Sequence, residues 1–279
     1  MACSVFWTYL DLRTFNKLTL YRGNRQMQSL ANRLAIQHFV NAYTQETGKG
    51  YLLHKNQQTS TQQAFSQGLT LLSLPIHSIQ AQCYFPLSYV SRVGRHRLAN
   101  LPQIIIQGQS KTFSPVAIVG LLLEELVSAS SIPLDAASLV EKWIQSRDAL
   151  QQFLVQREHE FDDLIKAGQS FIETEQALIL GHSMHPAPKS RTGFVHEDWW
   201  KFSPEHKGKT QLHYWLVHQD YIAEGCATDE SISSQLKNAL QWYLSENDLN
   251  LLKTHTEYKL LPLHPWKRVI YKVSHGLNA

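Results

Sequence analysis

Between Gly181 and Phe194 the chain reads GHSMHPAPKSRTGF, and this stretch concentrates the residue types that can handle an anion. His182 and His185 stand three apart, Pro186 and Pro188 forbid helix, and Lys189, Ser190 and Arg191 follow as a cluster of cations and donors before Gly193. Such a segment makes a poor core element. It makes a good rigid loop that holds hydrogen-bond donors out of the core, and an anionic ligand is its natural guest.

Three better-known chemistries lie close to the text and fail on spacing. Gly208-Lys209-Thr210 has the ending of a phosphate-cradling P-loop, but the glycine required five residues before Gly208 is Ser203. The histidine pair is spaced i,i+3 in a proline-rich segment, whereas a zinc hydrolase pair needs i,i+4 histidines and a glutamate on one helix, so no metal site is assigned. Gly181-His182-Ser183-Met184-His185 resembles a nucleophile elbow whose last glycine has been replaced. The bulk of His185 opposes the sharp turn that would expose a Ser183 nucleophile.

The elements expected around the loop give an α+β class, with antiparallel sheet elements and a helical layer. From Met27 to about Thr47, Leu30, Leu34, Ala35, Phe39 and Ala42 recur on one helical face, and Gly48 supplies a stop. LTLLSLP, QAQCYFP, YVSRV and PQIIIQ then read as short strands. Ser114 followed by Pro115 opens a helix through Val127, and Asp135 opens an amphipathic stretch to about Lys166. Ser170 with Glu173 is a capping box, FIETEQALIL has helical spacing, and Gly181 would end that helix at the loop. Beyond the loop a short helix is expected over 195–202, a strand over 212–218, a helix over 232–244, an extended YKLLPLHPW, and a basic helix after Trp266. Trp199, Trp200, Tyr214 and Trp215 are core candidates first and base-stacking candidates second. A boundary is placed near residue 130, giving regions 1–130 and 131–279.

Composition narrows the class without naming it. The 279 residues can bury one large core or two smaller ones, and a net charge of +3 with dispersed basic residues argues against nucleic acid or an anionic membrane as partner. Cys3, Cys83 and Cys226 are far apart and show no CxxC spacing, which suits a reducing compartment. No apolar run approaches the roughly 20 residues of a bilayer span. The opening MACSVFWTYLDL has no signal-peptide pattern, so the expected location is the cytoplasm.

The loop, preceded by ETEQAL and followed by LLPLHPW at 260–266, resembles the IucA/IucC family of siderophore synthetases, which show an EQAL-type helix running into GHxxHPxxKSRxGF and a later HPW element. Ser203-Pro204-Glu205-His206 matches the PEF-like element between them. The likeness extends weakly through the helix near 32–47. Ser183 departs from a frequent proline, and Lys267 follows HPW where glutamine is usual.

That resemblance implies ATP-dependent condensation of a citrate-like carboxylic acid with an amine, hydroxylamine or alcohol through an acyl adenylate, with Mg2+ as cofactor beside ATP. It implies that Lys189, Arg191 and His185 serve catalysis, Lys189 and Arg191 by offsetting charge on the departing pyrophosphate and His185 as a donor or acceptor to phosphate or the adenylate. His182, Ser183, Ser190, His264 and Trp266 would bind the nucleotide, with His264 and Trp266 as a second wall of the same pocket. Lys189 and Arg191 should then face an accessible cleft, and Lys189→Ala should lower adenylate formation without disturbing the fold. The resemblance further implies thumb-like and partial fingers-like regions with the palm absent, hence an inactive amino-terminal portion whose partner is a second copy or a complementary carboxy-terminal chain. A noncatalytic nucleotide- or carboxylate-binding remnant, and a metal-dependent hydrolase, are the competing readings.

Overall fold

In the computed structural model, which describes residues 24–264 apart from 131–132, 165, 167, 195, 224, 226–231 and 241–243, helix α1 (Asn24–Thr47) is buried from Leu34 to Tyr43 around its circumference rather than along one stripe. Met27, Leu30, Ala31 and Leu34 enter one apolar cluster, while Ala35, Ile36, Phe39, Val40 and Tyr43 enter another. Over that span, where the helix passes between two cores, it has no solvent face to keep polar, so His38 and Asn41 are buried as well. Gly48 ends it as expected, at φ +63°, its amide donating to Thr44 O at 3.0 Å.

The chain continues through β1 (Tyr51–Leu53), α2 (Ser60–Ser66), β2 (Thr70–Ile76), β3 (Ala81–Tyr89), β4 (Arg97–Leu98), β5 (Gln103–Ile106) and β6 (Gln109–Lys111). These strands form an antiparallel sheet in the order β1-β2-β3-β5-β6, with β4 also paired to β3. Register sets Leu74 against Cys83 and Cys83 against Ile104, all fully buried, so one face of the sheet lies on the first core. The expected strand YVSRV does not form. After Tyr89 the chain turns, held by the Ser91 amide donating to His96 Nδ1 at 3.2 Å and the Val93 amide donating to Ser91 Oγ at 3.2 Å.

Helices α3 (Pro115–Ala129) and α4 (Ala136–Gln156) begin where their caps predict, Ser114 Oγ accepting from Ala117 N and Asp135 Oδ1 from Ser138 N. Helix α4 stops ten residues before Lys166, because Arg157 leaves helical geometry to use its side chain elsewhere. Leu122 of α3 and Trp143 of α4 share the first core with the sheet, so the division expected near residue 130 cuts through a packed unit. The chain divides instead into units 1–208 and 209–279.

The rest of the first unit holds α5 (Phe171–Gln176) and α6 (His196–Phe202). The second unit pairs β7 (His213–His218) with β8 (Tyr258–Leu263) antiparallel, and α7 (Ile232–Leu240) and α8 (Glu246–Thr254) lie between them in sequence. Helix α7 is described as far as Leu240, residues 241–243 of the expected 232–244 helix lying outside the described residues, and Ser245 caps α8, an element the sequence reading lacked. The basic helix expected after Trp266 lies outside the described residues, as do Cys3 and Cys226. No described helix is long and apolar enough to cross a membrane.

Candidate functional site

The loop hangs from a shorter helix than its sequence suggests. Ser170 and Glu173 form the expected capping box, with Ser170 N donating to Glu173 Oε2 at 2.7 Å and Glu173 N to Ser170 Oγ at 3.3 Å. Helix α5 nevertheless ends at Gln176 rather than at Gly181. Ala177 and Ile179 are fully buried in the second core at i,i+2 spacing, and Leu178 O turns away to accept from Lys189 Nζ at 2.6 Å. Ala177 keeps helical geometry and Ile179 N donates to Ala177 O at 2.8 Å, so residues 177–180 form a tight, turned strut packed through Ala177 and Ile179.

From this strut the loop folds into two successive turns. His185 N donates to His182 O at 3.2 Å, and Ser190 N donates to Ala187 O at 3.2 Å, with the Ser190 hydroxyl on the same carbonyl at 3.0 Å. Ser190 is thus a fastener of the second turn. Gly181 sits at φ +75°, and a Cβ there would lie 2.9 Å from both Lys189 Cε and Pro188 Cβ. Glycine is required on two counts, conformation and space.

The two cations converge, but on a carboxylate of the protein itself. Lys189 is 5% exposed, and its ammonium donates to Glu205 Oε1 at 2.5 Å. The Arg191 guanidinium reaches Glu205 Oε1 and Oε2 at 3.1 Å each and also bonds Ser203 Oγ. Burial alone would push Glu205 up, yet Lys189 and Arg191 together hold it below the ordinary carboxylate value. Burial pushes Lys189 down, aided by the Arg191 charge and opposed by Glu205. The expectation that both head groups face a cleft is corrected: the Lys189 ammonium is buried in an ion pair, and Lys189→Ala would leave Glu205 partly uncompensated rather than spare the fold. Arg191 is partly exposed, stacks 4.8 Å from the Trp199 ring, and borders a cavity of about 360 Å³ lined also by Glu141, Lys142, Gly193 and Phe194. None of the loop's residues lines a further cavity of about 340 Å³ beside Pro75 and His77.

Arg157 explains both the early end of α4 and the placement of Glu205. Its guanidinium donates to Gln176 O and Glu205 O at 2.9 Å each and pairs with Glu160 at 2.9 Å, tying the end of α4, the end of α5 and the SPEH turn together. Lys189 N adds a bond to Ser146 Oγ of α4 at 2.9 Å. Arg157, Ser146 and Glu205 were not singled out as functional by the sequence reading; only Glu205 carried a signal, as part of the PEF-like match.

What the loop offers to solvent is its histidine pair. His182 and His185 are exposed, and each ring is oriented by the backbone: Met184 N donates to His182 Nδ1 at 3.3 Å, and Ala187 N donates to His185 Nδ1 at 3.0 Å. A ring nitrogen that accepts carries no proton, so both neutral rings are Nε2–H tautomers with a donor left over. Ser183 is half-buried between them. His264 is half-buried just after β8 in the second unit, and Trp266 lies outside the described residues. Trp199 packs at the second core with Phe153, Trp200 is largely exposed, and Tyr214 and Trp215 lie half-buried on β7.

Residues 170–272, from the cap of α5 through the HPW element, match the IucA / IucC family model. The chain is 29% identical to the spermidine–citrate ligase of Bacillus anthracis, over 86% of this chain and 41% of that protein. It is 26% identical to the L-2,3-diaminopropanoate–citrate ligase of Staphylococcus aureus, over 88% of this chain and 39% of that protein. The ATP-bound aerobactin synthetase IucA of Klebsiella pneumoniae has the same fold at a TM-score of 0.64 and 23% identity, over 86% of this chain and 40% of that one. The family resemblance read from the loop and HPW motifs therefore holds, and the chain spans about two-fifths of the length of these relatives.

Proposed function

We propose that this chain supplies the oxyanion-binding loop of an ATP-dependent ligase of siderophore biosynthesis that joins a citrate-like carboxylic acid to an amine or hydroxylamine. The carrying observation is the His182–His185 pair, two exposed rings whose Nδ1 atoms are engaged by the backbone so that Nε2–H donors remain for a ligand. In the reaction a carboxylate oxygen attacks the α-phosphorus of ATP, pyrophosphate leaves, and the amine then attacks the acyl carbon, releasing AMP and a proton. Donors held on a Pro-restricted loop stabilise charge building on phosphoryl or carboxyl oxygens without reorganising at the moment of reaction. Lys189 acts behind them, holding the loop's shape through Glu205, and Arg191 borders the adjoining cavity.

Mg2+ would accompany the nucleotide phosphates. Among the described residues no group of three or more His, Cys, Asp or Glu side chains fits a metal ion, so no residue of this chain is assigned to it and no step is drawn through it. The relatives are more than twice as long, which supports reading the chain as one part of the catalytic surface. The test supplies ATP, Mg2+, citrate and hydroxylamine to the isolated chain and measures binding, hydroxamate and pyrophosphate. Saturable anion binding without turnover is expected, weakened by His182→Ala and His185→Ala. Robust citrate-dependent turnover would overturn the partial-surface reading, and failure to bind either ATP or citrate would overturn the ligase reading.

A further inference from the structure

Beneath the loop, α1 carries a polar stripe that the Glu205 ion pairs do not use. His38, Asn41 and Gln45 are three and four residues apart, which sets them one above another on a helix of 3.6 residues per turn. Asn41 Nδ2 donates to His96 O at 3.0 Å. The Gln45 amide oxygen and the Met184 methyl both lie at Gly94, where an added Cβ would stand 3.1 Å and 3.9 Å from them. The stripe therefore faces the 91–96 turn and the middle of the GHSMHP loop.

His38 is 2% exposed, and its Nδ1 has no hydrogen-bond partner. A buried polar atom left without a partner is costly, and an apolar residue at this junction of two cores would avoid that cost. The titratable groups that bear on the ring are Lys189, His182 and His185, all basic; with burial as the larger cause they push its pKa down to about 4. At neutral pH the ring is uncharged, with one N–H to give, in surroundings that favour negative charge.

We propose that His38 is an oxyanion-binding residue, its Nδ1–H donating to a carboxylate or phosphoryl oxygen that enters between α1 and the His182–His185 turn. The inference rests on the proposed function and adds a third histidine, from a helix more than 140 positions away in sequence, to the ligand's surroundings. His182 and His185 at the ends of the turn above it are exposed and Ser183 and Met184 between them half-buried; displacing this turn, which the His185 N to His182 O bond closes, would admit the ligand.

The test titrates wild-type chain, labelled at the histidine ring nitrogens, with citrate in one arm and inorganic pyrophosphate in the other. The His38 ring is assigned through its side-chain to backbone correlations. Saturable movement of the His38 resonances together with those of His182 and His185 is expected, and the arm that produces it identifies the oxyanion as carboxylate or phosphoryl. His38→Gln should weaken binding roughly tenfold or more, as loss of a hydrogen bond to a charged group implies. His77→Gln, an exposed histidine paired with Glu125, should leave it unchanged. A His38 ring that stays still while the other two shift, or an unchanged Kd in folded His38→Gln, overturns the proposal and leaves the ligase reading standing. Binding of neither anion by wild type overturns both. If His38→Gln fails to fold, the wild-type resonances decide.

Discussion

Glu205 accepts from Lys189 and Arg191 at once, so charge balance governs what its loss does. Glu205→Gln keeps the shape but strands a buried ammonium, and removal of one member of a buried pair costs about 3–5 kcal/mol. Urea unfolding should show that loss, and adding Lys189→Met should recover much of it; a double variant no better than the single would refute the pairing argument. Two pH windows separate the charged groups. Glu205 is depressed, so its contribution is present above the ordinary carboxylate value of 4.5 and disappears as pH falls through its lower folded value. His38 acts earlier: between 6.5 and about 4 the unfolded ring takes a proton that the folded ring refuses, and stability falls as pH drops. From pH 6.5 to 5 that is about 2 kcal/mol, measurable as a urea-midpoint shift that His38→Gln should abolish.

At the scale of elements, the glycines of two tight bends give a controlled comparison. Gly181 and Gly108 both have φ near +80°, but an added Cβ meets Pro188 and Lys189 at Gly181 and nothing within 4 Å at Gly108. Gly108→Ala should lose about 1–2 kcal/mol from conformation alone, and Gly181→Ala clearly more, read from thermal melts of the two variants. The starts of α3, α4 and α5 were legible because each depends on one residue and the three that follow it: Ser114, Asp135 and Ser170. Their ends were less so. Helix α4 stops at Gln156 because Arg157 reaches to residues 176 and 205, and α5 stops at Gln176 because Leu178 O serves Lys189. Local periodicity contains neither partner. The same limit hid Glu205, since a cationic loop does not announce the carboxylate that neutralises it, and hid His38, since an all-round buried helix reads as one-faced until both cores are seen.

For the molecule as a whole, the first unit holds two cores that meet along α1, and the loop rests on the second. The loop has little apolar content of its own: Ala187 is buried, whereas His182, His185 and Pro186 are exposed. Its order is therefore borrowed from α4 and the strut, through the Ser146–Lys189 bond across 43 residues and the Arg157–Glu205 bond across 48. Such separations set a sequence of events in folding. Chain closure over those spans is favourable only once α1 and α4 have met, so the loop is assembled late. Pulse-labelled hydrogen exchange during refolding should protect amides in the middle of α1 and α4 before the Lys189 amide, whereas simultaneous protection would make the loop part of the nucleus. A newly made chain would thus pack both cores before the histidine turn closes.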